Sequence, residues 1–494
     1  MKPSALALAA LGLLFISISS FSEDAESWRR DGINALAASK AIKTHGSHAK
    51  NVILFLGDGM GVSTVTAARI FEGQQQGRDG ERNLLSFEKL PYLAMSKTYS
   101  ANQQTSDSAP TMTAIMTGVK TNDGVLSVNQ SVLKGEKDAL LIQKSTVQTL
   151  LELAEKQGLS TGVVTTTRVT HATPAATYAH TSNRDWENNA QVPADSKVAD
   201  IAAQSIDHFG QNGIGNGLEV LMGGGRDNFL PKALNGNRTD GRNLIAEFQT
   251  KFKANYVADK ESLDLIDPKK TSHLLGLFDS DHMQFDIDRI NSQSKQPSLA
   301  EMTSKAIDVL ATNPKGYFLM VEAGRIDHAH HIGNAYRALS ETVALSDAVK
   351  QTLSKINLDE TLLIVTADHS HTMTISGYAK RGTPILDKVI LPGHDIPALA
   401  LDNKPYTVIN YVNGKGNIEH SNKNVAAQTG RIADLTSIDT NNPDFHQEAN
   451  IPLEQETHGG EDVQIFAGGP DANLFHGVQE QSYIFYVMKD ALGL

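Results

Sequence analysis

Short apolar runs rich in branched side chains alternate with amphipathic stretches along most of this 494-residue chain. The apolar runs have the length of buried strands, and we predict strands at 51–56, 162–167, 317–321, 362–366 and 463–467. Helical spacing of apolar residues predicts helices over 147–157, 298–310 and 335–356. This alternation predicts an α/β fold, a three-layer sandwich in which helices flank both faces of a large, mostly parallel central sheet.

Two regions interrupt the alternation. Residues 211–297 contain glycine-rich turns and polar loops, and residues 376–452 are rich in proline, glycine and asparagine, with one predicted strand at 406–412. Because the core pattern resumes at the last predicted strand, we interpret 376–452 as an inserted subdomain. The main α/β domain then consists of residues 49–375 and 453–494.

The first 22 residues have the pattern of a secretory signal peptide. Lys2 precedes an apolar run at 5–18, and small serines follow that run. An uncleaved membrane anchor is the alternative, but the run is short for a membrane span and no later stretch is apolar enough for one. We therefore expect a periplasmic or secreted protein whose mature chain has no membrane anchor.

Charge and cysteine content narrow the chemistry. The net charge of −12 leaves no basic surplus to neutralise a phosphate backbone, which excludes nucleic acid as a dedicated partner. Small phosphate esters remain compatible with this charge, because bound cations can reverse the sign of a local field. Cysteine is absent, so any metal site must use His, Asp, Glu or hydroxyl groups.

The segment 322–331 combines acidic and imidazole side chains after an apolar run. Asp327 and His331 are four residues apart, so in a helix they lie on one face and can bind a single divalent cation. Glu322 closes the preceding predicted strand, where an ionisable residue belongs to a functional rim more often than to a core. The segment therefore predicts metal chemistry.

Four further acidic or imidazole groups lie where predicted strands end or begin. Asp58 follows the first strand between glycines, Asp368 and His369 follow another, and His458 precedes the last strand. Taken singly, each is explained as well by a structural turn or a core histidine as by a ligand. A dinucleotide-binding loop at 57–61 is disfavoured because the glycine spacing is wrong for that motif.

Two other groups have both a structural and a functional interpretation. Ser108 precedes a predicted helical stretch at 111–117, so it suits either an N-cap or a nucleophile at a helix N-terminus, where free N–H groups favour anions. No histidine near it offers Ser-His-Asp chemistry, so activation would require a metal. Arg184, in a polar region at 167–184, is either a surface ion-pair partner or a bidentate clamp for phosphate oxygens.

Together these segments resemble the alkaline phosphatases, and phrases around 61–69 resemble the animal-type branch. Seven motifs occur in the family's order, at 57–61, 107–109, 171–174, 183–186, 322–331, 366–371 and 456–462. The similarity extends from about residue 28 to the C-terminus. It implies a hydrolase of small phosphate monoesters that works through a phosphoserine intermediate.

The resemblance also implies two zinc ions and one magnesium ion per subunit. The first zinc would be bound by Asp327, His331 and His458, the second by Asp58, Asp368 and His369, and the magnesium by Asp58, Thr173 and Glu322. Ser108 would attack phosphorus beside the second zinc, and the first would stabilise the departing oxygen.

Four residues around the nucleophile acquire roles from the same resemblance. Arg184, oriented by Asp107, would bind the phosphate oxygens. His171 and His328 stand where other branches have Asp, Lys or Trp. A neutral imidazole holds phosphate less firmly than a lysine, so we expect these histidines to ease product release.

The chain also departs from the family pattern. A calcium site of animal-type members would need an acid where this chain has Gln296, so we do not expect that site. Residues 376–452 match the family's crown insertion and 23–48 its N-terminal arm, which implies a homodimer. Two alternatives stay open: the same fold acting on phosphodiesters or sulfate esters, and a non-catalytic binder of phosphate or zinc.

Overall fold

The computed structural model of the protein describes residues 48–211, 213–416 and 434–494, together with residues 33–34, 41–42 and 46. The predicted signal peptide and nearly all of the predicted N-terminal arm lie outside the described residues. Residues 44–494 form one compact unit, and residues 1–43 separate from it as a second unit. None of the helices in the described ranges has the length and apolar character that a membrane crossing requires.

The described residues of the compact unit alternate between strands and helices. The strands are β1 (Asn51–Gly57), β2 (Tyr92–Lys97), β3 (Ser160–Arg168), β4 (Val220–Gly224), β5 (Asn255–Val257), β6 (Leu274–Leu277), β7 (Tyr317–Ala323), β8 (Thr361–Thr366), β9 (Ser370–His371), β10 (Met373–Ile375), β11 (Ile409–Gly414), β12 (Ala449–Pro452), β13 (His458–Gly459), β14 (Val463–Gly468) and β15 (Val478–Glu480). The α-helices are α1 (Val62–Gln75), α2 (Ser108–Thr117), α3 (Ala139–Ser145), α4 (Leu150–Gln157), α5 (Ala172–Ala175), α6 (Ile201–Asp207), α7 (Leu244–Phe252), α8 (Lys260–Asp264), α9 (Asp286–Asn291), α10 (Leu299–Leu310), α11 (Arg325–His331), α12 (Ala335–Leu353) and α13 (Tyr483–Ala491).

A ten-stranded sheet forms the centre of the fold, in the order β15-β2-β14-β8-β1-β7-β3-β4-β6-β5. β14 runs antiparallel to both of its neighbours, and every other pair in this sheet is parallel. The prediction of a large, mostly parallel central sheet is therefore confirmed.

The central strands separate two apolar cores. Along β1, Val52, Leu54 and Leu56 belong to one buried cluster, whereas Ile53 and Phe55 belong to the other. This alternation follows from strand geometry, in which successive side chains point to opposite faces. Helices α2, α4 and α13 contribute to the first cluster, and α1, α10 and α12 to the second. The three-layer arrangement is thus the one that the alternation predicted.

The predicted strands agree with the observed ones within about two residues, but three local expectations are wrong. Residues 211–297 do not interrupt the fold, because they supply strands β4, β5 and β6 to one edge of the main sheet. The helix predicted at 111–117 begins at Ser108, and Asp107 is its N-cap, so Ser108 is not a capping residue. In the insertion, the predicted strand at 406–412 is found at Ile409–Gly414.

Two small sheets, one of three strands and one of two, are formed by segments that follow β8 in the chain. β10 pairs antiparallel with β11, and β11 pairs parallel with β12, so this sheet joins strands on both sides of the predicted start of the insertion at residue 376. β13 pairs antiparallel with β9 and places His458 opposite His371. The limits of the inserted subdomain stay a prediction.

Candidate active site and metal centre

The candidate site lies at the carboxyl ends of the central parallel strands. Leu56 at the end of β1 is in register with Glu322 of β7 and with Thr366 of β8. Polar residues that follow these strands therefore meet at one edge of the sheet, where ligands bind in open α/β sheets. Asp58 directly follows β1, and Asp368 and His369 follow β8.

Glycines next to Asp58 allow a very close approach between two segments. Gly59 has a φ of 69°, and a Cβ at this position would lie 2.3 Å from Cδ2 of His371. A Cβ at Gly61 would lie 1.9 Å from Oγ of Ser370. A side chain at either position would collide with the segment that follows β8, so both positions require glycine. The close approach of the two segments places Asp58 beside Asp368 and His369.

Asp327, His331 and His458 form a cluster in which only acceptor atoms face one another. His331 Nδ1 lies 2.6 Å from the carbonyl oxygen of Glu456, and His458 Nδ1 lies 2.7 Å from that of Ser106. A carbonyl oxygen only accepts, so both Nδ1 atoms must be the donors, and the neutral rings have their lone pairs on Nε2.

Those lone pairs converge. The two Nε2 atoms are 3.1 Å apart, and each lies 3.3 Å from Oδ1 of Asp327. Three acceptors at these distances repel one another unless a proton or a metal cation lies between them. Two imidazoles and one carboxylate form a donor set that suits zinc.

A second acceptor cluster surrounds the hydroxyl of Ser108. His369 Nδ1 faces the carbonyl oxygen of Ser370 at 3.2 Å, so its lone pair is on Nε2. That Nε2 lies 3.4 Å from Asp58 Oδ1, 3.3 Å from Asp368 Oδ2 and 3.2 Å from Ser108 Oγ. Burial raises the pKa of Asp58 well above its ordinary value, and the neighbouring carboxylates raise it further. A cation at this position would relieve that repulsion.

The histidine beside Ser108 corrects one expectation. The sequence offered no histidine near this serine, yet His369 Nε2 is within hydrogen-bonding distance of its hydroxyl. A Ser-His-Asp triad would need a carboxylate on the other ring nitrogen. Nδ1 of His369 contacts a backbone carbonyl instead, and the ring lies between two carboxylates as a metal ligand would.

A third group of acceptors lies around Asp58, Thr173 and Glu322. Thr173 Oγ1 is 3.3 Å from Asp58 Oδ2. Glu322 is fully buried, its Oε2 accepts from Thr165 and Thr167, and its Oε1 has no hydrogen-bond partner. Burial raises the pKa of Glu322 to about 7. An orphaned buried carboxylate oxygen beside a second carboxylate and a hydroxyl fits the all-oxygen shell that magnesium prefers.

Arg184 is held at the edge of these clusters by two partners. Its Nη1 donates to Oδ2 of Asp107 at 3.1 Å, and its Nη2 contacts Nε2 of His171 at 3.0 Å. Asp107 precedes Ser108, so the guanidinium is fixed through the residue next to the candidate nucleophile. This arrangement suits a bidentate clamp on an anion bound at Ser108.

The two candidate tuning histidines are neighbours. The ring centroids of His171 and His328 lie 5.5 Å apart. Burial lowers the pKa of His328 to about 3 and that of His171 well below its ordinary range. Both rings are therefore neutral at the pH of any ordinary assay.

Sequence reasoning did not single out His371, which lies in the motif at 366–371. Its Nε2 lies 2.8 Å from Asp327 Oδ1, and its Nδ1 contacts Glu456, a fully buried carboxylate that the motifs did not single out. Although burial disfavours the cation, Glu456 and Asp327 raise the pKa of His371 to about 10. Both ring nitrogens therefore donate, and His371 supports Asp327 without offering a lone pair to a metal.

The neighbouring His330 is a core histidine with both nitrogens satisfied. It contacts the hydroxyls of Thr64 and Tyr411 at 3.0 and 2.8 Å.

At the position considered for calcium, Nε2 of Gln296 donates to Asp279 Oδ2 at 2.5 Å, so an amide rather than a second acid faces that carboxylate.

Comparison with known proteins gives a consistent result. The family model for alkaline phosphatase matches residues 49–494. The chain is 41% identical over 488 residues to the tissue-nonspecific alkaline phosphatase of Gallus gallus, covering 95% of this chain and 89% of that protein. It is 40% identical over 460 residues to an alkaline phosphatase of Gadus morhua, covering 90% of this chain and 91% of that protein. The crystal structure of Thermus thermophilus alkaline phosphatase superposes with a TM-score of 0.66 at 25% identity, covering 92% of this chain and 94% of that one.

Proposed function

The chain belongs to the alkaline phosphatase family, whose members hydrolyse phosphate monoesters, and from that premise we propose a metal-dependent reaction with Ser108 as the nucleophile. One observation supports this most directly. Ser108 Oγ lies 3.2 Å from Nε2 of His369 and 3.4 Å from Asp58 Oδ1, in a buried volume where carboxylate oxygens and an imidazole lone pair crowd together. Such a volume is stable with cations in it and unfavourable without them.

The proposed cofactors are two zinc ions and one magnesium ion. Asp327, His331 and His458 would hold the first zinc, Asp58, Asp368 and His369 the second, and Asp58, Thr173 and Glu322 the magnesium. When bound, these cations supply positive charge that lowers the pKa of the Ser108 hydroxyl and stabilises the oxygen of the departing group.

The protein's own groups orient the reaction. Arg184, braced by Asp107 and His171, binds two oxygens of the phosphoryl group and places phosphorus in line with Ser108 Oγ. Ser108 Oγ loses its proton to solvent and attacks phosphorus, the bond between phosphorus and the ester oxygen breaks, and that oxygen takes a proton from solvent as the alcohol departs. Phosphate then remains on Ser108 until water displaces it and frees the serine. The N-terminus of α2, whose first residue is Ser108, favours the anion throughout.

One set of assays separates this proposal from its rivals. The chain, loaded with zinc and magnesium, is given an aryl phosphate monoester, an aryl phosphodiester and an aryl sulfate, with and without a chelator. We expect turnover of the monoester that the chelator abolishes and that returning the metals restores. A preference for the diester or the sulfate would favour the first alternative, and phosphate binding without turnover would favour the non-catalytic binder.

A variant tests the nucleophile. Ser108→Ala is expected to lower kcat about a thousandfold or more, because the covalent step loses its attacking atom. Ser96→Ala is a matched control, since the hydroxyl of this buried serine in β2 donates only to the backbone oxygen of Lys97 among the described residues. Unchanged turnover in Ser108→Ala would contradict the proposed mechanism.

The proposal includes export and assembly. We propose cleavage of the signal peptide within 1–22, a periplasmic or secreted location, and a homodimer that involves 376–452 and the N-terminal arm. N-terminal sequencing of the exported chain tests the first part and light scattering on the purified protein tests the second. An intact Met1 or a monomer at micromolar concentration would contradict them.

A further inference from the structure

Three arginines contact three histidines beside the candidate phosphate site. The nitrogen–nitrogen distances are 3.0 Å for Arg184 to His171, 2.9 Å for Arg325 to His328, and 2.6 Å for Arg168 to His282. The three imidazole rings also contact one another, with centroids 4.3 to 5.5 Å apart. Of these three pairs, only Arg184 with His171 takes part in the proposed reaction described above.

The Arg325 contact determines where the proton of His328 lies. A guanidinium keeps its charge at all relevant pH values, and its N–H groups only donate. Nη1 of Arg325 lies 2.9 Å from Nδ1 of His328, so Nδ1 must be the acceptor. A neutral imidazole has one donor and one acceptor nitrogen, which leaves the proton of His328 on Nε2.

Apart from its contact with His328, the guanidinium of Arg325 packs on an aromatic ring and makes no other hydrogen bond within the described residues. Its guanidinium lies 3.9 Å from the centroid of the Phe285 ring, and its backbone N–H donates to Thr166 Oγ1 at 3.2 Å. Its buried Nε has no hydrogen-bond partner. Within the described residues, the contact with His328 is therefore the hydrogen bond that this guanidinium is placed to make.

His328 has one N–H group that the protein leaves available to a ligand. It follows Asp327 in α11, and its half-buried ring contacts the ring of His171, whose Nε2 contacts Arg184. Its Nε2 has no protein partner among the described residues. On the side opposite Arg325 it therefore presents a donor that no protein acceptor satisfies.

We propose that Arg325 is a positioning residue for phosphate binding: it fixes the tautomer of His328, so that the ring offers its N–H on Nε2 to a phosphate oxygen or to a water bound to that oxygen. The inference rests on the proposed function, because it requires phosphate beside Arg184. Without Arg325 the ring can place its proton on either nitrogen and can rotate, so this donor is present only part of the time.

A double-mutant cycle tests whether Arg325 acts through His328. KM and kcat for an aryl phosphate, and Ki for inorganic phosphate, are measured for Arg325→Met, His328→Ala and the double variant, all loaded with zinc and magnesium. We expect Arg325→Met to raise KM and Ki about fivefold with a smaller effect on kcat, the size expected for one hydrogen bond. In the His328→Ala background, Arg325→Met should change neither constant further.

A matched control separates this effect from disturbance of the local packing. Arg337 also lies near Phe285, 5.7 Å from the ring centroid, but its guanidinium bonds to Asp288 and Asp444 and not to His328. Arg337→Met should leave Ki for phosphate unchanged. Should Arg325→Met fold poorly, Arg325→Lys keeps a cationic donor and is expected to show a smaller rise in Ki.

A spectroscopic measurement follows the tautomer itself. In protein with ¹⁵N-labelled histidine, the His328 nitrogens are assigned by their absence in His328→Ala, and their shifts report which nitrogen has the proton. We expect a single Nε2–H tautomer in the wild type and a mixture in Arg325→Met. Additive effects in the cycle, an unchanged Ki in Arg325→Met, or an Nδ1–H tautomer in the wild type would overturn the inference.

Failure of the proposed function would look different. A wild-type enzyme that neither hydrolyses the aryl phosphate nor binds inorganic phosphate contradicts the proposed function, and with it the phosphate-binding role of Arg325. The ¹⁵N measurement still decides whether Arg325 sets the tautomer in that case.

Discussion

At the residue scale, the candidate site is defined by which atoms are left as acceptors. His331, His458 and His369 each direct Nδ1 at a backbone carbonyl, and this contact frees Nε2 as a ligand. His371 has the same side chain in the same cluster but faces a carboxylate from each nitrogen, so both of its nitrogens are placed to donate. The hydrogen-bond partner of the second nitrogen therefore decides the role of each imidazole.

Gly59 provides a residue-scale prediction with a built-in control. Gly59→Ala places a side chain at a φ of 69° and within 2.3 Å of His371, whereas Gly77→Ala has a φ of 74° with nothing within 4 Å of its Cβ. We expect Gly77→Ala to lower the free energy of unfolding by about 1 kcal/mol through backbone strain alone. Gly59→Ala should cost more and also weaken zinc binding, because His371 supports Asp327.

Urea unfolding and zinc titration of the metal-free protein measure both effects. Equal losses of stability in the two variants, with equal zinc affinity, would show that the contact with His371 does not matter.

At the element scale, most of the candidate site residues lie at or next to the end of a regular element. Asp58, Asp368 and His369 follow parallel strands, and Ser108 is the first residue of α2. Asp327 and His331 lie one turn apart in α11, with Asp327 Oδ1 3.3 Å from His331 Nε2. The strands behind the site are buried, so the candidate ligands are positioned by well-packed elements.

Helix α10 packs on one face of the sheet, away from the candidate site. A substitution at its N-terminus therefore tests whether the stability of this helix can change without changing catalysis. Ser298 caps it, because its Oγ accepts from the N–H of Glu301 at 3.2 Å and the Glu301 carboxylate accepts from the N–H of Ser298 at 2.8 Å. Ser298→Ala is expected to lower the free energy of unfolding by about 1 kcal/mol with kcat and KM unchanged. Ser304→Ala, in the middle of the same helix, removes only a surface hydrogen bond from Lys355 and should lower stability less than Ser298→Ala. A catalytic defect in Ser298→Ala would mean that α10 positions the site more directly than its location indicates.

At the scale of the whole molecule, the stability of the fold should depend on pH through a buried carboxyl pair far from the candidate site. Glu155 of α4 and Glu219, just before β4, both contact Thr161 near the start of β3, at the edge of the sheet opposite the site. Burial raises the pKa of Glu155 to about 8 and that of Glu219 to about 7.

The sign of the pH dependence follows from these values. The folded chain binds more protons than the unfolded one between the ordinary pKa of 4.5 and about 8, so stability falls as pH rises through this window and levels off above it. The limiting slope for one such group is about 1.4 kcal/mol per pH unit. Above about pH 8 this pair is therefore ionised and the stability of the fold is reduced.

Glu155→Gln tests this dependence. An amide cannot ionise, so we expect the melting temperature of this variant to fall less between pH 6 and pH 9 than that of the wild type. Glu152→Gln is the control on the same helix: despite burial, His180 holds the pKa of Glu152 below its ordinary value, and the substitution should lower stability instead. Parallel melting curves for wild type and Glu155→Gln across this pH range would contradict the prediction.

The fold and the ligand types could be predicted from the amino-acid order because they depend on local pattern. Strands such as β1 and β7 are apolar runs of fixed length, and Asp58 and Glu322 stand at their ends. Strands β4 to β6 were missed because they are three to five residues long and lie among polar loops and turns. Four-residue spacing and strand ends identify candidate ligands, but each is ambiguous until its neighbours in space are known.

Tertiary structure decided everything that depends on contacts between remote segments. His371 meets Asp327 and Glu456 across 44 and 85 residues, and His369 meets Ser108 across 261. No local pattern encodes such contacts, since they arise from the order of strands in the sheet. Proton positions depend on them as well, because a ring nitrogen donates or accepts according to the atom it faces. Residue types and their spacing could therefore be read from the chain, whereas the charge and tautomer of each imidazole are properties of the folded molecule.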